Sequence, residues 1–155
     1  MTIDEQIQQL IEQAPLYGAK TDEIQLIAPV FKAVANQLQY SQYYILQNLE
    51  QNWVMTTLKH RTQPNVTKNV VYAYPSLNAV KTSVATEDPQ IMALPVPVIQ
   101  ILFQLLAMEP VDSVIFFGPV VDQTGTEVSR QGLRQSIEQY VQSLRGQSSL
   151  PPGIA

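Results

Sequence analysis

Cysteine is absent from the chain, which excludes disulfides, thiol catalysis and cysteine-ligated zinc or iron–sulfur centres. Histidine is all but absent: His60 stands alone between Lys59 and Arg61. A metal site needs several converging ligands, and a serine or threonine nucleophile needs a base. Neither is expected around one histidine with no carboxylate near it in sequence. No G-x-S-x-G elbow and no phosphate-binding loop occurs. Charge is scarce too. Asp, Glu, Lys and Arg make up 14% of the residues, against about a quarter in an ordinary domain. With a net charge of -4 and a pI near 4.8, the chain lacks the basic face that nucleic acid requires. Its start, MTIDEQIQQL, has neither the basic residues nor the apolar core of a signal peptide, so a cytoplasmic location is expected.

Apolar residues are plentiful, at 45% of the chain. That predicts one α+β domain with a real core over residues 1–146 and a flexible tail over 147–155. The most apolar stretch runs from Ile91 to Val121. Between Val98 and Met108 only Gln100 and Gln104 are polar, and four residues apart they share one stripe. The spacing predicts a helix from about Pro97 to Met108, surrounded by protein on most sides. Glu109-Pro110 turns the chain, and Val111 to Phe117 predicts a central strand, apolar on both faces, stopped by Gly118-Pro119. The run from Ile91 to Met108 approaches the length of a membrane span. Two prolines in its first half, two glutamines inside it and no basic flank predict a core helix instead. Part of its surface is a candidate for contact with a second subunit.

Thr2 and Glu5 have the spacing of a capping box, so a helix is predicted from Ile3 to about Gln13. After a connector with Pro15 and Gly18, a longer helix starts near Thr21. Ile24, Ile27, Phe31, Val34, Leu38, Ile45 and Leu49 keep close to a seven-residue repeat, interrupted near Ser41. The expected N-terminal segment, 1–50, is therefore a helical pair that packs on its own sheet or on a partner. Tyr40, Tyr43 and Tyr44 form an aromatic group on it, of a kind common both at interfaces and at core edges. The period then becomes alternating. Trp53 to Arg61 and Val66 to Tyr74 predict a hairpin turning at Thr62-Gln63-Pro64-Asn65. Leu77, Val80 and Val84 fit a short helix capped by Ser76, and almost equally a strand; the helix is preferred. Gly118 to Ser129 is expected to be a loop, and Ser129 to about Leu144 a final helix. The fold class is α+β: a small mixed sheet, hairpin 53–74 plus strand 111–117, packed against helices.

From Trp53 onward this order resembles the N-terminal domain of the SseB family, named for enhanced serine sensitivity. The resemblance is carried by Trp53-Val54-Met55-Thr56-Thr57-Leu58, by Val70-Val71-Tyr72-Ala73-Tyr74-Pro75-Ser76, and by Phe116-Phe117-Gly118-Pro119 before a closing helix. It covers about two-thirds of the chain. The family's usual Asn-Pro-Gly after the last strand is replaced here by Phe117-Gly118-Pro119. The resemblance implies the sheet–helix unit of residues 53–145 and no catalytic residue. The glutamine-rich, lysine-poor style is also similar to that of cyanobacterial proteins.

Asp122, Gly125 and Glu127 precede a helix and are weighed as an ion-binding loop; a plain connector is preferred. Arg130 and Arg134, four apart, are expected to support the helix surface. The remaining feature is a hairpin face on which Trp53, Met55, Lys59, Arg61, Lys68, Tyr72 and Tyr74 adjoin, if odd residues of the first strand share a side with even residues of the second. The preferred reading instead turns Trp53, Tyr72 and Tyr74 toward the helices and leaves the basic residues at the fringe of the sheet. The expected function is a non-enzymatic protein-interaction or regulatory module, a homodimer or bound to another protein. It has no cofactor, and its candidate surface is Trp53, Lys59, Arg61, Lys68, Tyr72, Tyr74, Tyr40, Tyr43 and Tyr44. A small-ligand-binding domain using the hairpin face is the alternative.

Overall fold

Thr2 Oγ1 accepts the amide of Glu5 at 3.1 Å, so the first helix, α1 (Ile3–Gln13), starts where the Thr2–Glu5 spacing predicts. The computed structural model describes residues 2–63, 65–83, 89–119 and 125–149. Ala14–Tyr17 form a 3₁₀ turn closed by Gly18 at φ 73°, a left-handed conformation that suits only glycine well. The second helix, α2, runs Thr21–Asn36.

The expected continuation of α2 toward Leu49 is not formed, because Gln42–Gln47 is strand β1. Two periods compete here. Leu38 and Ile45 stand seven apart, but Tyr43 and Ile45, two apart, are the buried pair. Aromatic and β-branched residues favour the strand. The amides of Gln37 and Leu38 bond to the carbonyls of Val34 and Ala35, three residues back, and this tighter turn ends the helix.

The predicted strand from Trp53 to Arg61 shrinks to β2 (Thr56–Lys59), while Trp53 makes an isolated bridge to Gln47. β3 is Thr67–Tyr74; Pro64 of the predicted turn lies outside the described residues. The short helix α3 (Leu77–Ser83) forms, with Ser76 Oγ accepting the Ala79 amide at 3.0 Å. Val84 lies outside the described residues.

Met92–Pro97 is a strand, β4, that the prolines hide from sequence reading. It is an edge strand paired with β1 along its whole length. The Val98 amide bonds to the Ser41 carbonyl, which fixes the phase of that ladder. Pro95 and Pro97 therefore fall where an N–H would point outward, the position at which a strand tolerates proline. The apolar helix α4 (Val98–Ala107) and strand β5 (Ser113–Phe116) follow as expected. Thr126–Ser129, expected as loop, is strand β6, antiparallel to β5. Helix α5 then runs Arg130–Ser149, so residues 147–149 are helical rather than tail.

The six strands form one mixed sheet in the order β4-β1-β3-β5-β6, with β2 paired to the first half of β3. Only β3 and β5 are parallel. The class is α+β, a mixed sheet packed with helices and preceded by a helical pair. One face bears Tyr43, Ile45, Val71, Ala73, Val114 and Phe116, and these join Phe31, Ile101, Leu105 and Leu133 in the main core. The helices α1, α2, α4 and α5 all contribute to that core. Burying a side chain of this size fully contributes about 1.5–3 kcal/mol. The strand residues of the opposite face take no part in this core.

Candidate interaction surface

Strand alternation sorts side chains onto two faces, and the pairings say which residues share one. Tyr44 stands opposite Tyr74, Tyr72 beside Ile115, and Ile115 opposite Glu127. All five lie on the face away from the main core. Phe117 follows Ile115 by two residues, and its amide bonds to the Ala73 carbonyl at 3.0 Å. Its ring stacks on Tyr72 with centroids 5.3 Å apart and planes at 22°, and lies 5.4 Å from the ring of Tyr74. Tyr74 is buried, whereas Tyr44, Tyr72 and Phe117 are half-buried. Ring contacts of this kind contribute about 0.5–1.5 kcal/mol beyond area burial. Burial raises the phenol of Tyr74 above its ordinary range, and neighbouring Tyr72 adds to the shift.

Lys68 sits on the same face, as its partner across the ladder is Leu58, not Lys59. Its Nζ reaches both carboxylate oxygens of Glu127, at 3.0 and 2.8 Å. The hydrogen bond from Lys68, then that from Ser113, holds the Glu127 carboxyl below its ordinary range. The Lys68 charge is thus matched within the sheet.

The nine residues singled out from sequence divide into groups. Tyr44, Lys68, Tyr72 and Tyr74 come together on this face. Tyr43 is buried in the main core, edge-on to Phe116 at 4.9 Å, and desolvation raises its phenol. Tyr40 packs edge-on against Tyr43 at 5.8 Å. Trp53 is buried in the main core. Lys59 pairs with Thr67 and Thr57 with Asn69, which puts Lys59 on the face opposite to Lys68 and Tyr72. The shared hairpin face is therefore one residue out of register, and a one-residue slip exchanges the faces. Arg61 is exposed in the bend after β2. His60 Nδ1 is also exposed and lies 3.2 Å from the Thr62 amide nitrogen.

Three residues of this face are missing from the candidate surface drawn from sequence. Phe117 and Ile115 carry a signal in the alternation of Ser113-Val114-Ile115-Phe116-Phe117. Glu127 carries none, being in a four-residue strand with an exposed start. Asp122 of the weighed ion-binding loop lies outside the described residues. Glu127 is engaged by Lys68, so it acts as a structural partner.

A cleft of about 670 Å³ opens beside this face, between the starts of β5 and α5. Glu109, Asp112, Glu127 and Glu138 line it together with Lys68, Arg130 and Arg134, four acids against three bases. Several of these groups hold the fold. Asp112 Oδ2 accepts the Asn69 amide at 2.8 Å, and Arg130 Nε donates to the Leu106 carbonyl at 3.1 Å. Among the described residues no group of three His, Asp or Glu side chains is placed to hold a metal ion. No helix among them is long and apolar enough to cross a membrane. Comparison with protein-family models, with curated proteins and with solved structures finds no match to this chain.

Proposed function

We propose that the protein is a non-enzymatic interaction module that pairs with a second copy of itself through the aromatic sheet face. The observation that carries this reading is the group of half-buried rings Tyr44, Tyr72 and Phe117 on the face away from the main core, with Tyr74 buried against them. Aromatic-rich surface poor in unpaired charge is the composition of interface centres. One sheet face meets its own copy about a two-fold axis, with the sheets roughly 10 Å apart. Growth past β4 is disfavoured by its outward prolines, so association uses the face and not that edge.

Light scattering on sized fractions at tens of micromolar tests this. The expected mass is that of a dimer. Tyr72→Glu is expected to give a monomer with an unchanged circular dichroism spectrum. Leu16→Glu, at a residue 83% exposed and outside the sheet, is expected to remain dimeric. A wild-type chain that stays monomeric at those concentrations ends the reading.

A further inference from the structure

Five side-chain amides converge on a separate cavity. Gln100 and Gln104 face it from α4, Gln47 from the end of β1, and Gln51 and Asn52 from the turn that follows. The first two are the only polar residues of an otherwise apolar helix, one turn apart, and both line this cavity. Among the described residues, none of the five side-chain amides makes a hydrogen bond to another protein group. Trp53 and Met108 give the cavity an apolar wall. Its volume is about 410 Å³, within the roughly 300–1,000 Å³ of small-molecule sites.

The lining carries no charged side chain. A phosphate, carboxylate or ammonium entering it would lose hydration and find no opposite charge. Each primary amide offers two N–H donors and a carbonyl acceptor. Their natural complement is an uncharged molecule whose groups donate and accept at once, as hydroxyls do, with a C–H surface for the indole. We propose that this cavity binds a small neutral polyol of sugar size. The site shares no residue with the aromatic sheet face, so it stands or falls independently of dimer formation.

Trp53 is the sole tryptophan, so its fluorescence and its indole N–H resonance are read at the cavity wall without overlap from another tryptophan. Thermal shift is a poor readout, because sugars at high concentration stabilise any protein by exclusion from its surface. The full chain, labelled with nitrogen-15, is titrated with glucose, trehalose and sucrose, and separately with glucose 6-phosphate and gluconate. At least one neutral sugar is expected to move the Trp53 indole and the five side-chain amide resonances in a saturable way, with the charged compounds inert. Gln100→Ala with Gln104→Ala is expected to weaken binding by about tenfold or more, through loss of two hydrogen-bonding partners. Gln51→Gly is the companion variant: it removes one amide outside the core, at a residue whose φ of 66° glycine adopts freely. It is expected to weaken binding by a few-fold. Absence of any saturable shift with the neutral panel overturns the proposal. Equal binding of the charged compounds, or undiminished binding by these variants, overturns it too.

Discussion

The side-chain carbonyl of Gln6 accepts the amide of Ile99 at 3.0 Å, and Gln6 Nε2 donates to the Ser41 carbonyl at 2.8 Å. One buried side chain thus ties α1 to the start of α4 and to the residue before β1. Helix α4 needs this help. Its N-cap is Pro97, which has no hydrogen-bonding side chain, so the orphan amides of the first turn must find partners elsewhere. Ser41 takes the Val98 amide and Gln6 takes the next. Gln6→Leu is expected to leave the Ile99 amide buried without a partner, at a cost of about 1–3 kcal/mol. Urea unfolding should show a lower midpoint with an unchanged slope. An unaltered midpoint would mean that water replaces the glutamine without loss.

The pair Lys68–Glu127 sets a pH dependence. The Glu127 carboxyl titrates below its ordinary range in the folded chain. The folded state therefore binds a proton there less readily than the unfolded state does. The resulting stability is present above the ordinary carboxyl value of 4.5 that the unfolded chain has, and is lost as pH falls through the depressed folded value. Both side chains are partly exposed, so the effect is modest and screened by salt. Lys68→Met removes the principal cause. It is expected to flatten the fall in stability with pH in the acid range, measured by unfolding at a series of pH values in low salt. Parallel curves for both proteins would contradict the assignment.

Gly125 is required for a steric reason. A Cβ there would lie 2.8 Å from the Phe116 carbonyl oxygen and 2.9 Å from Ile115 Cγ2. The first of these neighbours is backbone and has little room to yield. Gly125→Ala is expected to cost about 1–3 kcal/mol by forcing β5 and the start of β6 apart. Gly118→Ala is the control, since its Cβ would meet only Gln39 Oε1, at 3.5 Å. Comparable midpoints for the two variants would refute the steric account.

The edge prolines of β4 lead to a different kind of change. Pro95→Val restores an outward N–H on an edge strand and supplies a residue that favours β structure. The fold is expected to persist, while concentration-dependent association through the β4 edge rises. Scattering on a dilution series reads this directly. A variant as well behaved as the parent would show that other features guard the edge.

Legibility from sequence follows how locally each feature is determined. Thr2, Ser76 and Pro97 mark helix starts because capping is settled within a few residues. The helix at Val98–Ala107 is readable because its apolar residues wrap nearly the whole surface. Strand β1 is not readable as such, since Tyr43, Ile45 and their neighbours fit a helical repeat as well as an alternating one. Strand β4 is hidden because Pro95 and Pro97 argue against a strand until its edge position is known. The aromatic face was half visible. Tyr72 and Tyr74 declare themselves by alternation, but Phe117 joins them only through the parallel pairing of β3 with β5. That pairing brings together segments distant in sequence. The side on which Lys59 falls depends on hairpin register, which turn geometry sets and composition does not.

The alternation along Thr67–Tyr74 has a consequence for how this gene can change. Removing or adding one residue within β3 would present Val71 and Ala73 to the outside and drive Tyr72 and Tyr74 among the helices. A change of two residues would restore the original sidedness. Length variation in this segment is therefore tolerated in even steps, whereas single-residue indels there exchange the sheet's outer aromatic face for its interior.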